Sequence, residues 1–141
     1  MALINDSARK EISKLLAELA NPVRLVNFTQ TIECQFCGET RQLLEELAGM
    51  SDKLHLDVYN FIEDKDQVEA FGIDKIPATV VMGERDAGIR FYGIPSGYEF
   101  TTLLEAIKMV SRGDSGLSED TRQKLAVVKS PVHIQVFITP T

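Results

Sequence analysis

Cysteine is scarce in this chain: Cys34 and Cys37 are the only two among 141 residues. That scarcity leaves no disulfide framework, and at this length a domain can bury a core without such staples. Histidine is equally sparse, with His55 and His133 alone. A structural zinc site wants four ligands, so one chain would have to assemble it from residues with no useful spacing. Basic charge is also short. Fifteen Lys and Arg stand against 21 Asp and Glu, a net charge of -6, which argues against a nucleic-acid or anionic-membrane face and for a protein or small-molecule partner. No apolar run approaches the roughly 18 residues of a membrane span. The first thirty residues hold no basic start followed by an apolar signal core, so the chain reads as cytoplasmic, where disulfides are usually transient. No Ser-, Pro- or Gln-rich tract points to disorder, and 44% hydrophobic with 26% charged residues is an ordinary globular balance.

What is present is an alternation of helical and β-type patterns. From Asp6 to Ala20, Ala8, Ile12, Leu15, Leu16 and Leu19 share one helical face, and Asn21-Pro22 stops it. "VRLVNF" (Val23 to Phe28) is β-rich and leads into the cysteine loop. A second helix follows with Phe36, Thr40, Leu43, Leu44 and Leu47 on one face and Gly49 placed to end it. "LHLDVY" (Leu54 to Tyr59) alternates as a half-buried strand does, and residues 63 to 71 read as a short acidic helix ending near Gly72. "IPATVVM" and "GIRFYG" flank the turn-rich "GERDAG" as a hairpin. Ser96 and Glu99 have the S-x-x-E spacing of a capping box, opening a last helix through Phe100, Leu103, Leu104 and Ile107. Residues 114–131 read as a linker with a helix from about Ser118. The tail "VHIQVFITPT" (Val132 to Thr141) is β-prone and repeats the pattern of "VRLVNFTQT".

The two cysteines form C-x-x-C between a strand and a helix. Cys34 would stand near the free N–H groups and positive end of that helix, where a thiol pKa falls from about 8.5 to roughly 3.5–7.5 and the nucleophilic thiolate becomes available. Cys37, one turn on, is close enough to resolve a mixed disulfide by intramolecular attack, a sequence that needs no metal and no organic cofactor. Redox exchange is the leading reading. A zinc site shared across a dimer stays open beside it, as does a permanent clasp, although so small a loop constrains the unfolded chain little.

The element order, "CQFC" opening a helix, and Ile76-Pro77 entering a hairpin resemble the thioredoxin fold. The resemblance implies an α/β architecture: a central mixed four-stranded sheet flanked by helices, with an extra N-terminal helix. It further implies that Pro77 is cis and, with Ile76, forms the wall against which substrate pairs. The N-terminal helix, "CQFC", "FYGIPSGYEF" and the restart at Val132 are similar to the protein disulfide oxidoreductases, glutaredoxin-like proteins built of two tandem thioredoxin-like units. "DAGIRFYGIPSGYEFTTLLEAI" also resembles the N-terminal redox domain of the alkyl hydroperoxide reductase flavoprotein. The implied organisation is a first unit over residues 1–113, a linker over 114–131, and over 132–141 the first strand of a truncated second unit. That strand would pair with a second copy of the chain or pack back on the first unit.

The implied function is thiol–disulfide exchange with protein dithiols and disulfides, in cell redox homeostasis. Cys34 attacks, Cys37 resolves, and a thioredoxin-reductase-like flavoprotein is the candidate donor. Two rivals are an electron relay between a flavoprotein and a peroxidase, and a redox-inert scaffold unit. Departures from the family pattern bear on activity. Glu33 stands where thioredoxins carry tryptophan, and a carboxylate there opposes thiolate formation. Gln35 and Phe36 between the cysteines match neither thioredoxin nor glutaredoxin in full, so these three residues are expected to modulate the pair. Asp57 reads as a polar strand residue, and Glu63, Asp64 and Asp66 as a solvated helix start.

Overall fold

The computed structural model describes residues 1–139. Its elements are α1 (Asp6–Ala17), β1 (Val23–Thr29), α2 (Cys37–Ala48), β2 (Leu54–Asn60), α3 (Lys65–Ala70), β3 (Ala78–Met82), β4 (Ile89–Tyr92), α4 (Tyr98–Arg112) and α5 (Glu119–Leu125). The strands lie in the order β2-β1-β3-β4. β1 runs parallel to β2, with Val23 beside Leu54 and Thr29 beside Asn60. It runs antiparallel to β3, with Phe28 opposite Ala78, and β3 is antiparallel to β4. A parallel neighbour requires a crossover, and α2 supplies it. The result is the expected mixed four-stranded sheet flanked by helices.

Successive strand residues face opposite sides of the sheet, and the apolar residues divide accordingly. Val23, Leu25 and Val81 join Leu16 of α1, Leu44 and Leu47 of α2, and Leu103 and Ile107 of α4 in one buried cluster. Val26, Phe28, Val80 and Met82 form a second on the other face, covered by Val68 and Phe71 around α3. There Phe28 lies 5.7 Å from Tyr59 and 5.8 Å from Phe71 between ring centroids. α1 reaches the first cluster through Ile12 and Leu16. Its approach is secured by Glu46 on α2, whose carboxylate accepts from Leu3 N at 2.8 Å and Ile4 N at 3.0 Å and meets Arg9 at 3.2 Å.

Two expectations need correction. α1 closes at Ala17, three residues before Ala20, because Glu18 N and Leu19 N turn back to Leu15 and Leu16 carbonyls ahead of Asn21-Pro22. Ser96 does not cap α4: the N-cap is Gly97 at φ 61° with no side-chain hydrogen bond, and Ser96 N instead donates to Ile94 O at 2.9 Å. The chain uses Ser96 in a turn, and only a residue without Cβ takes the next conformation readily. The β-prone tail forms no strand over residues 131–139, and its side chains are exposed. Pro140 and Thr141, the end of the expected strand, lie outside the described residues.

Candidate redox site

The sheet brings distant residues to one end. β1 and β2 both finish there, so the loop after Thr29 lies beside the loop after Asn60, joined by Phe61 N donating to Thr29 O at 2.9 Å. β3 begins there, because Phe28 pairs with Ala78. β4 finishes there as well, with Gly93 N donating to Pro77 O at 2.9 Å. The cysteine loop, the Ile76-Pro77 segment and the start of α4 therefore share one edge of the molecule.

Cys34 and Cys37 are disulfide-bonded with Cα atoms 5.5 Å apart. Cys37 opens α2 and is 1% exposed, whereas Cys34, in the preceding loop, is half-buried. Phe36 is not part of the buried face of α2 as its spacing suggests: it is the N-cap residue, exposed, and provides no side-chain cap. Its carbonyl accepts from Thr40 N at 3.0 Å and from Thr40 Oγ1 at 2.7 Å, which closes the first turn under the disulfide. The upstream N–H groups of that turn have no capping side chain, so their positive end remains available to a sulfur anion. Chemically, an accessible sulfur ahead of a buried one at a helix start can accept and then release a mixed disulfide.

Glu33, Gln35 and Phe36 are exposed around the pair. Glu33 adopts φ 55°, the single positive φ of a non-glycine residue among those described, a conformation that costs a residue with a Cβ. Pro77 is buried and Ile76 half-buried, and the bond between them is cis. Asp57 lies away from this edge: its carboxylate pairs with Arg24 on the α3 face. Arg24 is held more basic by that partner, more than burial can offset. Asp64 is half-buried at that helix start rather than solvated; its Oδ2 accepts from Asn60 N at 2.6 Å and ties β2 to α3. Among the described residues no group of three or more His, Cys, Asp and Glu converges as a metal site.

The sequence reading did not single out Ile32, Ile62 and Tyr98. All three are exposed and belong to the loops or helix start at this same edge. Isolated apolar residues in loops carry no periodic signature, so only the topology collects them. Thr79 was also passed over. Its signal was available: like Asn27 opposite it, it is a polar residue in the inward phase of an apolar strand, and both are 0% exposed.

Four strands in this order, a disulfide at the first crossover helix and the proline segment beside it are the features of a thioredoxin-like thiol–disulfide oxidoreductase unit. The chain is similar to a protein disulfide oxidoreductase from Aeropyrum pernix K1, with TM-score 0.89 and 31% identity over 99% of this chain and 62% of that one. It is also similar to the NTD_N/C domain of alkylhydroperoxide reductase AhpF from Enterococcus faecalis, with TM-score 0.78 and 27% identity over 89% of this chain and 61% of that one. The corresponding alkyl hydroperoxide reductase protein of Xanthomonas campestris pv. phaseoli is 38% identical over 101 residues, which are 72% of this chain and 17% of that protein. The chain thus spans a minor part of the curated relatives it matches. No family model matches it.

Proposed function

We propose that this protein catalyses thiol–disulfide exchange with protein substrates, with Cys34 as the attacking thiol and Cys37 as the resolving thiol. The observation that carries the reading is their unequal exposure at the start of α2: a substrate disulfide can reach Cys34 but not Cys37, which suits the two roles. In the reducing direction the Cys34 thiolate attacks a substrate sulfur and displaces the other as a thiolate. The Cys37 thiolate then attacks Cys34, releasing the second substrate sulfur, so two electrons pass to the substrate and one S–S bond is exchanged for another. Ile76 and Pro77 serve as the wall for the substrate backbone, and Glu33, Gln35 and Phe36 tune the pair. No metal or organic cofactor enters this sequence.

A second reading is supported by the similarity to the alkyl hydroperoxide reductase proteins: a relay that takes electrons from a thioredoxin-reductase-like flavoprotein and hands them to a peroxidase. We place either activity in the cytoplasm, in cell redox homeostasis. Among the described residues no helix is long and apolar enough to cross a membrane. For residues 114–131 we propose a linker, and for residues 132–141 the first strand of a second thioredoxin-like unit; the partial span of the Aeropyrum pernix protein supports this. Pairing of that strand with a second copy would give a dimer.

The test is a redox titration in glutathione buffers followed by reduction of an insulin-like disulfide and of a peroxiredoxin. The expected result is a reversible two-electron transition between about -180 and -280 mV, loss of exchange in Cys34→Ser, and trapped mixed disulfides in Cys37→Ser. Full-rate exchange by Cys34→Ser rules the assignment out. Reduction of the peroxiredoxin alone selects the relay.

A further inference from the structure

Among the described residues, six glycines take a positive φ, and one residue with a side chain joins them: Glu33 at φ 55°. The chain meets this backbone demand with glycine everywhere else. Only immediately before Cys34 does a Cβ remain in the left-handed region, and the residue there is glutamate, which lacks the short polar side chain that lets asparagine and aspartate tolerate it. The Glu33 side chain is exposed, so packing of that side chain does not account for the conformation.

Two anchors on the backbone do. On the N-terminal side, Thr29 ends β1 with its carbonyl taken by Phe61 N at 2.9 Å, and the Gln30 side chain folds forward to donate Nε2–H to Ile32 O. On the C-terminal side, Cys34 is bonded to Cys37, which is 1% exposed and opens a helix fixed in the core by Leu43, Leu44 and Leu47. Residues 30–33 alone bridge the strand end and Cys34, so the positions of the two anchors dictate their backbone angles. The first anchor is permanent, whereas the second is a covalent bond that opens in the reaction. Without it, Cys34 is joined to the helix start by Cys37 N donating to Cys34 O at 3.5 Å, longer than an ordinary N–H···O bond.

We propose that Glu33 is a positioning residue that acts on Cys34 through its backbone: the closed disulfide holds it left-handed, and opening the bond lets it turn to an ordinary negative φ. In the opening step a substrate dithiol supplies two electrons and two protons; its sulfurs join as a disulfide, the Cys34–Cys37 bond breaks, and both cysteines become thiols. The strain belongs to the closed state, so it favours the open one and makes the pair a stronger oxidant. The Glu33 carboxylate acts on the same sulfur by charge, and the two effects separate by substitution. The inference rests on the exchange reading above and states how Glu33 tunes the pair.

Glu33→Gln removes the charge and keeps the Cβ, whereas Glu33→Gly removes both. The difference between the two in a glutathione titration therefore reads the backbone. The expected result is an equilibrium about fivefold further toward the disulfide in Glu33→Gly than in Glu33→Gln, which is about 20 mV more negative. Glu33→Asn, neutral and more tolerant of positive φ, should titrate between them and supplies the comparison should Glu33→Gly fail to fold. A role in folding alone would move the unfolding midpoints of oxidised and reduced protein alike and leave the potential unmoved. Equal potentials in Glu33→Gln and Glu33→Gly, or a difference of opposite sign, overturn the proposal and leave exchange standing. A parent pair that does not titrate at all overturns both.

Discussion

Phe28 and Phe137 occupy matching positions in the two similar strings "VRLVNFTQT" and "VHIQVFITPT", yet Phe28 is 0% exposed and Phe137 is 88% exposed. The local sequences have comparable β-propensity. The difference is that β1 lies between two partners, β2 and β3, while residues 131–139 form no strand. Propensity states that a segment fits a pleated, half-buried surface; it does not supply the surface. The same contrast separates the rest of the two regions. Residues up to Arg112 furnish both core clusters, whereas from Arg112 to Thr139 every residue is exposed except half-buried Thr121.

The sharpest way to test that contrast is the paired substitution of the two phenylalanines. Phe28→Ala removes a ring packed between Tyr59 and Phe71 and should cost about 3–5 kcal/mol. Phe137→Ala touches an exposed ring and should fall within about 0.5 kcal/mol of the parent. Urea unfolding midpoints at constant m-value measure both. Comparable losses would mean that residues 132–139 are packed in solution, and the contrast would fail.

The legible part of the fold was the part written in periodicity. Leu43, Leu44 and Leu47 announce the buried face of α2, and "ATVVM" with "IRFY" announces the hairpin, because one physical rule relates spacing to face. What was not legible depended on choices between local options. Ser96 can cap a helix or stabilise a turn, and the spacing to Glu99 is the same in both cases. In the site, C-x-x-C between a strand and a helix was visible, but the unequal exposure of Cys34 and Cys37 was not. It arises from how α2 settles on β1. Asn27 and Thr79 become a pair only through the β1–β3 register, which no linear pattern encodes.

The chain's two terminal regions sharpen the comparison further. The N-terminal segment is tied to the core over a long sequence distance: Glu46 accepts from Leu3 and Ile4 N–H groups, and these bonds hold its carboxyl below the usual carboxylate range. Asp114 is lowered as well, but by Gly116 N–H and Arg122, neighbours within its own segment. A lowered folded pKa gives stability that is present above the unfolded carboxylate range and lost as pH falls through the folded value. Glu46→Gln should therefore cost about 1 kcal/mol at neutral pH, with the difference from the parent closing as pH drops below the ordinary carboxylate range. Melting curves across that pH range measure it. A difference independent of pH would mean that the charge on Glu46 does not hold the N-terminal segment.

The smallest effect expected is also the broadest cut. Removing residues 114–141 deletes α5 and the tail, yet the hydrogen bonds of α5 stay within its own stretch. Ser118 caps Thr121 N at 3.2 Å, and Arg122 bonds Leu117 O at 2.9 Å and Asp114 Oδ1 at 2.5 Å. Such local bonds stabilise a short helix without joining it to the core, and at seven residues that helix is marginal by itself. The shortened protein should unfold within about 0.5 kcal/mol of the parent and retain the Cys34/Cys37 potential. A larger loss that grows as the parent is concentrated would show a tail that stabilises by pairing between chains, since only an association responds to concentration. A larger loss independent of concentration would instead place the tail on its own body, and the division at Gly113 would no longer mark the end of a self-sufficient unit.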